Sequence, residues 1–177
     1  MTSRVLRIDM SDFGPSYRRL GAEFGAAGRR GALKGAMRAV GTLQRATSKA
    51  PPANPSGKGK GGAVNTGAYK RGWKWAKEPD GASVYNAMAY ASIIENGRRK
   101  NSRRPPLDVI ARWAQRKLGL SVREARRAAF PIARAIAKRG LIARQVMGSS
   151  VLKIEEDFLI EVIKELDKAL LKLGPSP

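Results

Sequence analysis

Tyr69-Lys70-Arg71-Gly72-Trp73-Lys74-Trp75-Ala76-Lys77-Glu78-Pro79-Asp80-Gly81-Ala82-Ser83-Val84-Tyr85-Asn86 is the stretch on which the fold turns. From Tyr69 to Lys77 it alternates: Tyr69, Arg71, Trp73 and Trp75 fall on one face, and Lys70, Gly72, Lys74 and Ala76 on the other. Pro79-Asp80-Gly81 has the residues a tight turn needs: a ring that presets φ, a side chain that bonds its own backbone, and a glycine free to take positive φ. Ala82 to Asn86 then returns as a second strand, so the stretch predicts an antiparallel β-hairpin. The tryptophan face fits a core surface lying under a helix. It also fits a platform for stacked bases, and the core is the stronger reading.

Upstream of the hairpin the periodicity is helical. Phe13, Tyr17, Leu20, Phe24 and Ala27 are spaced by three or four residues, and Leu33, Met37, Val40 and Gln44 continue the pattern, which predicts a long helix from Ser16 to about Lys49. Gly14-Pro15 punctuates its start, and Arg4 to Ile8 fits a short edge strand. Gly21, Gly25, Gly28, Gly31, Gly35 and Gly41 oppose the helix, each by about 1 kcal/mol relative to alanine. Two outcomes are open: a broken helix, or a helix whose small residues admit another backbone at close range. Residues 51–66, rich in proline and glycine, read as a flexible loop. Gly57, Gly59 and Gly62 spell a G-x-G-x-x-G, but Pro51, Pro52 and Pro55 replace the strand that a dinucleotide site requires.

Downstream of the hairpin the chain is again helical. Ala89 to Gly97 reads as a short helical or extended piece. Residues 97–106 form a basic loop in which Arg98, Arg99, Lys100, Arg103 and Arg104 precede Pro105-Pro106. Leu107, Ile110, Trp113, Ala114 and Leu118 line one face of a helix ending near Gly119. Ser121-Val122-Arg123-Glu124 matches a capping box and starts another helix. Ala125, Ala128, Ala129, Ile132, Ala133 and Ile136 form the buried face of that helix, Pro131 is expected to kink or split it, and Gly140 closes it. Leu141 to Met147 reads as an added strand. From Val151, Leu159, Val162, Ile163, Leu166, Ala169, Leu170 and Leu173 stripe one face of a last helix that ends at Gly174-Pro175.

Charge narrows the function. The 177 residues hold 35 lysines and arginines against 14 acids, a net charge of +21. Residues 151–177 carry four lysines against six acids, so the last helix is mildly acidic and the rest of the chain more basic still. So basic a body attracts polyanions or acidic protein surfaces. Cysteine and histidine are both absent. That excludes disulfides, thiol chemistry, a structural zinc site and the commonest general base. The acids of the basic part are scattered, where a two-metal nuclease needs them clustered. No signal-peptide core and no run of 18 apolar residues is present, so a soluble protein made in a cytoplasm is expected. Few aromatics imply a thin core and a subunit stabilised by its neighbours.

Taken in order, Ala50-Pro51-Pro52, Asn65-Thr66-Gly67-Ala68-Tyr69-Lys70-Arg71-Gly72, Tyr90-Ala91-Ser92-Ile93-Ile94-Glu95-Asn96-Gly97 and Arg104-Pro105-Pro106 carry a resemblance. Over roughly residues 30–145 the chain resembles the tail-completion or neck proteins of long-tailed bacteriophages, the group that includes minor tail protein Z. It departs from that pattern with Asn65 in place of the usual Asp, Tyr69 in place of Leu and Gly72 in place of Ser. The resemblance implies a structural virion protein with no catalytic residues, cofactor or metal. Such a protein is made in the bacterial cytoplasm and forms a ring, expected to be hexameric, at the head-proximal end of the tail. Its implied partners are itself, the tail tube or tail terminator, and the head–tail connector, with transient contact to phage DNA and none to membrane.

The resulting expectation is an α+β subunit with a long N-terminal helix packed on a small antiparallel sheet and a helical C-terminal third. Residues 1–147 are expected to form the main domain. Residues 148–177 form an amphipathic helix that either closes the core or docks on a neighbouring subunit. Lys58, Lys60, Arg98, Arg99, Lys100, Arg103 and Arg104 are the expected contacts to a polyanion or acidic partner. Glu95, Leu159, Val162, Ile163, Leu166 and Leu170 are the expected subunit interface, with Glu95 pairing with an arginine or lying exposed at a helix end. Thr66-Gly67 is expected to form a turn, with Tyr69 and Trp73 buried against the long helix. The competing reading is a non-enzymatic cytoplasmic nucleic-acid-binding protein.

Overall fold

A computed structural model describes residues 14–51 and 62–172, and the side chains from residue 19 onward. Lys58, Lys60, Leu173, the edge strand expected at Arg4–Ile8 and most of the glycine-rich loop therefore lie outside the described residues. The described elements are α1 (Gly14–Lys49), α2 (Ala68–Arg71), β1 (Trp73–Glu78), β2 (Gly81–Asn86), α3 (Ala91–Asn96), α4 (Leu107–Leu118), α5 (Val122–Arg139) and α6 (Val151–Lys172). The architecture is α+β: a long N-terminal helix, a two-stranded antiparallel sheet and a helical C-terminal third.

The glycines do not break α1. Two of them meet α6, which runs antiparallel to α1. A Cβ at Gly31 would lie 2.5 Å from the Val162 Cα, and one at Gly35 would lie 2.9 Å from the Phe158 Cα. Helix backbones come this close only where a side chain is missing from the seam. Ala27, Ala36 and Ala39 are fully buried on the same helix.

The hairpin forms in the register Trp73↔Asn86 to Glu78↔Gly81. It starts later than the alternation suggested. Tyr69 and Arg71 belong to the helical turn α2, entered through Gly67 at φ 78, a left-handed conformation that favours glycine. Tyr69 and Trp73 are buried side by side, edge to face with ring centroids 5.5 Å apart. With Leu43, Ala50 and Val146 they form one core, between α1 and the hairpin. Trp75, nearer the hairpin tip, is largely exposed.

A second core lies between α4 and α5 and consists mainly of alanine: Ile110, Ala111, Ala114, Ala125, Ala129 and Ala133. The Ser121–Glu124 capping box is present as expected. α5 runs unbroken through Pro131, whose ring sits on the exposed face, so the expected split does not occur. The α4–α5 pair is tied to the rest of the chain mainly through its two connecting segments. Arg98 and Leu141 exchange backbone hydrogen bonds at 2.8 and 3.0 Å, and Ser102 N–H donates to the Ala137 carbonyl. The strand expected over Leu141–Met147 reduces to this single bridge.

Candidate functional site

α6 packs with its carboxylates inward. Asp157 is 7% exposed and Glu165 5%, burials that acids tolerate only when paired. Glu165 accepts from Lys34 at 2.6 Å, Lys168 at 3.0 Å and Arg30 at 3.3 Å. Together these cations hold its carboxyl at about 2, well below the ordinary 4.5, with the Lys34 hydrogen bond contributing most. Glu161 accepts from Arg38 at 2.7 Å and Lys164 at 3.3 Å. Asp157 accepts from Thr42 at 3.1 Å and pairs with Lys153 at 3.3 Å. The acidic last helix thus finds its basic surface on α1 of its own chain.

This arrangement decides what faces out. At about 100° of rotation per residue, Leu152, Leu159, Ile163 and Leu170 fall within roughly 40° of one another, opposite the buried carboxylates. All four are exposed, Leu152 by 82% and Leu159 by 62%. Of the expected interface residues, Leu159, Ile163 and Leu170 therefore lie on a free apolar stripe and Leu166 is half-buried beside it. Val162 is half-buried, with its backbone against Gly31. The sequence pattern had placed all of them on one face. The helix is rotated from that expectation because small residues and ion pairs fill its inner seam where leucines would normally sit. These four side chains form an exposed apolar stripe on a strongly charged protein.

Glu95 does not pair with an arginine among the described residues. Its Oε1 accepts the Gly148 backbone N–H at 2.9 Å, while Oε2 and the Tyr69 hydroxyl are buried without partners among the described residues. Glu95 thus braces the turn that leads into α6. Burial above all, with Glu95 and Tyr90 nearby, pushes the Tyr69 hydroxyl up to about 12.

The basic loop separates into two kinds of residue. Arg98 is structural: half-buried, it donates from Nε to the Ser102 hydroxyl at 2.9 Å and from Nη2 to the Arg103 carbonyl. Arg99, Lys100 and Arg103 are exposed. Arg104 lies over the Phe130 ring, 5.0 Å from its centroid.

The α4–α5 pair extends this basic surface, a feature the sequence reading did not assign. It carries nine cations against Asp108 and Glu124. Arg123, Arg126, Arg127, Arg134, Lys138 and Arg139 are all exposed on α5, and no described carboxylate lies within ion-pair distance of any of them. The missed signal was the placement of Arg123, Arg127, Arg134 and Lys138, which at about 100° per residue fall opposite the alanine face. A groove of about 480 Å³ between the two helices is lined by Leu107, Ala111, Val122, Ala129, Arg112 and Arg126, among others. Beside the pair, a cleft of about 590 Å³ separates α4 from α3 and residues 62–65, with Tyr90, Trp113, Lys117 and Arg144 among its walls.

Among the described residues no helix is long and apolar enough to cross a membrane. Comparison with protein-family models, curated proteins and solved structures finds no match to this chain.

Proposed function

We propose that this chain is a structural subunit of the neck or head-proximal tail end of a long-tailed bacteriophage. It completes the tail as a ring of identical copies and joins it to the head connector in the virion, performing no chemistry of its own. The ordered motifs from Ala50 to Pro106 support the family reading. The observation that carries the assembly role is the outward stripe of Leu152, Leu159, Ile163 and Leu170 on a helix whose inward acids, Asp157, Glu161 and Glu165, are already paired within the chain. Such a stripe costs solubility unless a partner covers it. The partners follow from the family reading: other copies of the chain, the tail tube or terminator, and the connector.

The test is native mass spectrometry with negative-stain imaging of the purified chain. Discrete rings support the assembly role. A monomer that binds DNA tightly and steeply salt-dependently favours the second reading, a nucleic-acid-binding protein. That reading draws on one specific feature, the unpaired cations of α5, of which Arg134 and Lys138 lie beside Arg104 of the basic loop.

A further inference from the structure

We propose that the α6 stripe of one copy docks on the α4–α5 surface of the next copy, so that the contact between subunits is head-to-tail. This rests on the ring reading above and specifies the surfaces that build the ring. Three observations select this occupant.

The first is charge. The stripe is flanked by Glu155, Glu156 and Asp167, all exposed, and Glu155 and Asp167 have no ion-pair partner among the described residues. The α4–α5 pair offers the opposite sign: its α5 cations are equally unpaired, and Arg126 lines its groove, where the other cation, Arg112, is paired with Asp108 at 2.7 Å. The second is apolar surface and length. Leu107, Leu118, Val122 and Phe130 are exposed on the pair. The stripe from Leu152 to Leu170 is roughly 27 Å long, and the α5 cations from Arg123 to Arg139 span roughly 24 Å. A helix laid along this surface would bury leucine against leucine and valine, with acids beside arginines.

The third is the failure of the alternatives. Within one chain α6 is held on α1, and neither α4 nor α5 packs along it. Two α6 stripes facing each other antiparallel would set Leu159 against Ile163 and Leu152 against Leu170. The same register brings Glu156 of one copy beside Asp167 of the other, a like-charge contact. The stripe is therefore a poor partner for itself and a good one for the basic pair. A contact between two different surfaces leaves one of each free at the ends of every chain of copies, so it grows until the rotation closes into a ring.

Two variants test this. One carries Leu159→Lys and Ile163→Lys, which spoil the stripe; the other carries Val122→Glu and Arg126→Glu, which spoil the groove. All four positions are exposed, so helical circular dichroism should be unchanged. If it is not, Leu159→Ser with Ile163→Ser and Val122→Ser with Arg126→Ser replace them. With wild type assembling, each variant alone is expected at the 19.2 kDa monomer mass. Their equimolar mixture is expected to form a one-to-one pair that grows no further, because only one intact stripe and one intact groove remain to meet. Either variant assembling alone, or the mixture staying monomeric, overturns the head-to-tail contact and leaves the ring reading standing. A wild type that is monomeric at every concentration overturns both.

Discussion

The indole N–H of Trp73 donates to the Thr47 hydroxyl at 2.9 Å, and that hydroxyl donates onward to the Leu43 carbonyl at 2.7 Å. All three residues are buried, so this short chain of bonds pins the hairpin to α1 where water cannot substitute. Thr47→Val keeps the volume but strands the indole donor. It is expected to cost about 1–3 kcal/mol in urea denaturation. Trp73→Phe in the Thr47→Val background should cost less than the sum of the two single changes. Additive losses would show that the bond contributes nothing.

The glycines inside α1 should behave in two opposite ways. Gly21 has no neighbour within 4 Å of an added Cβ, so Gly21→Ala is expected to stabilise by about 0.5–1 kcal/mol. Gly31→Ala and Gly35→Ala drive a methyl group into the α6 backbone and should destabilise by about 1–3 kcal/mol. Thermal melts of the three variants measure this, and a common sign for all three would contradict the close helix seam.

Acid should loosen the α1–α6 pair. Glu165 is held at about 2 by Lys34, Lys168 and Arg30, below its ordinary 4.5. A group whose value is lowered by folding stabilises the protein above its unfolded value. Its contribution is lost as pH falls from 4.5 towards 2, where the folded state too takes up the proton. Melting temperatures taken from neutral pH down to about pH 2.5 should therefore fall less steeply in Glu165→Gln than in wild type. Parallel curves would place the acid sensitivity elsewhere.

The basic loop should divide on mutation as it does in structure. Arg98→Ala removes two hydrogen bonds at the junction with the α4–α5 pair and is expected to cost about 1–2 kcal/mol. Arg99→Ala with Lys100→Ala should shift stability by less than about 0.5 kcal/mol while reducing binding to any acidic partner. Denaturant titration separates the two, and equal losses would mean that the whole loop is structural.

Much of the fold was legible because its signals are local. Pro79-Asp80-Gly81, the Ser121–Glu124 capping box and Gly140 each act within a few residues, and each sits where the pattern placed it. The strand start was misjudged because alternation over Tyr69–Trp75 also suits a single helical turn followed by a strand. The rotation of α6 was not legible from α6 alone. Counting leucines makes them the inner face, and only the glycines and cations of α1 reveal that the carboxylates belong there. Those residues lie more than a hundred positions away, as in Lys34 and Glu165. The unpaired arginines of α5 were visible as a spacing, but their strength as a surface emerges only once α4 lies beside them.

That same distance along the chain has a consequence during synthesis. α1 leaves the ribosome well before α6, so its seam of glycines and cations has no occupant until α6 follows. Contacts between segments far apart in a chain form slowly, because a long loop must close first. A chain cut short anywhere before Val151 lacks both the helix that covers α1 and the leucines that α6 displays.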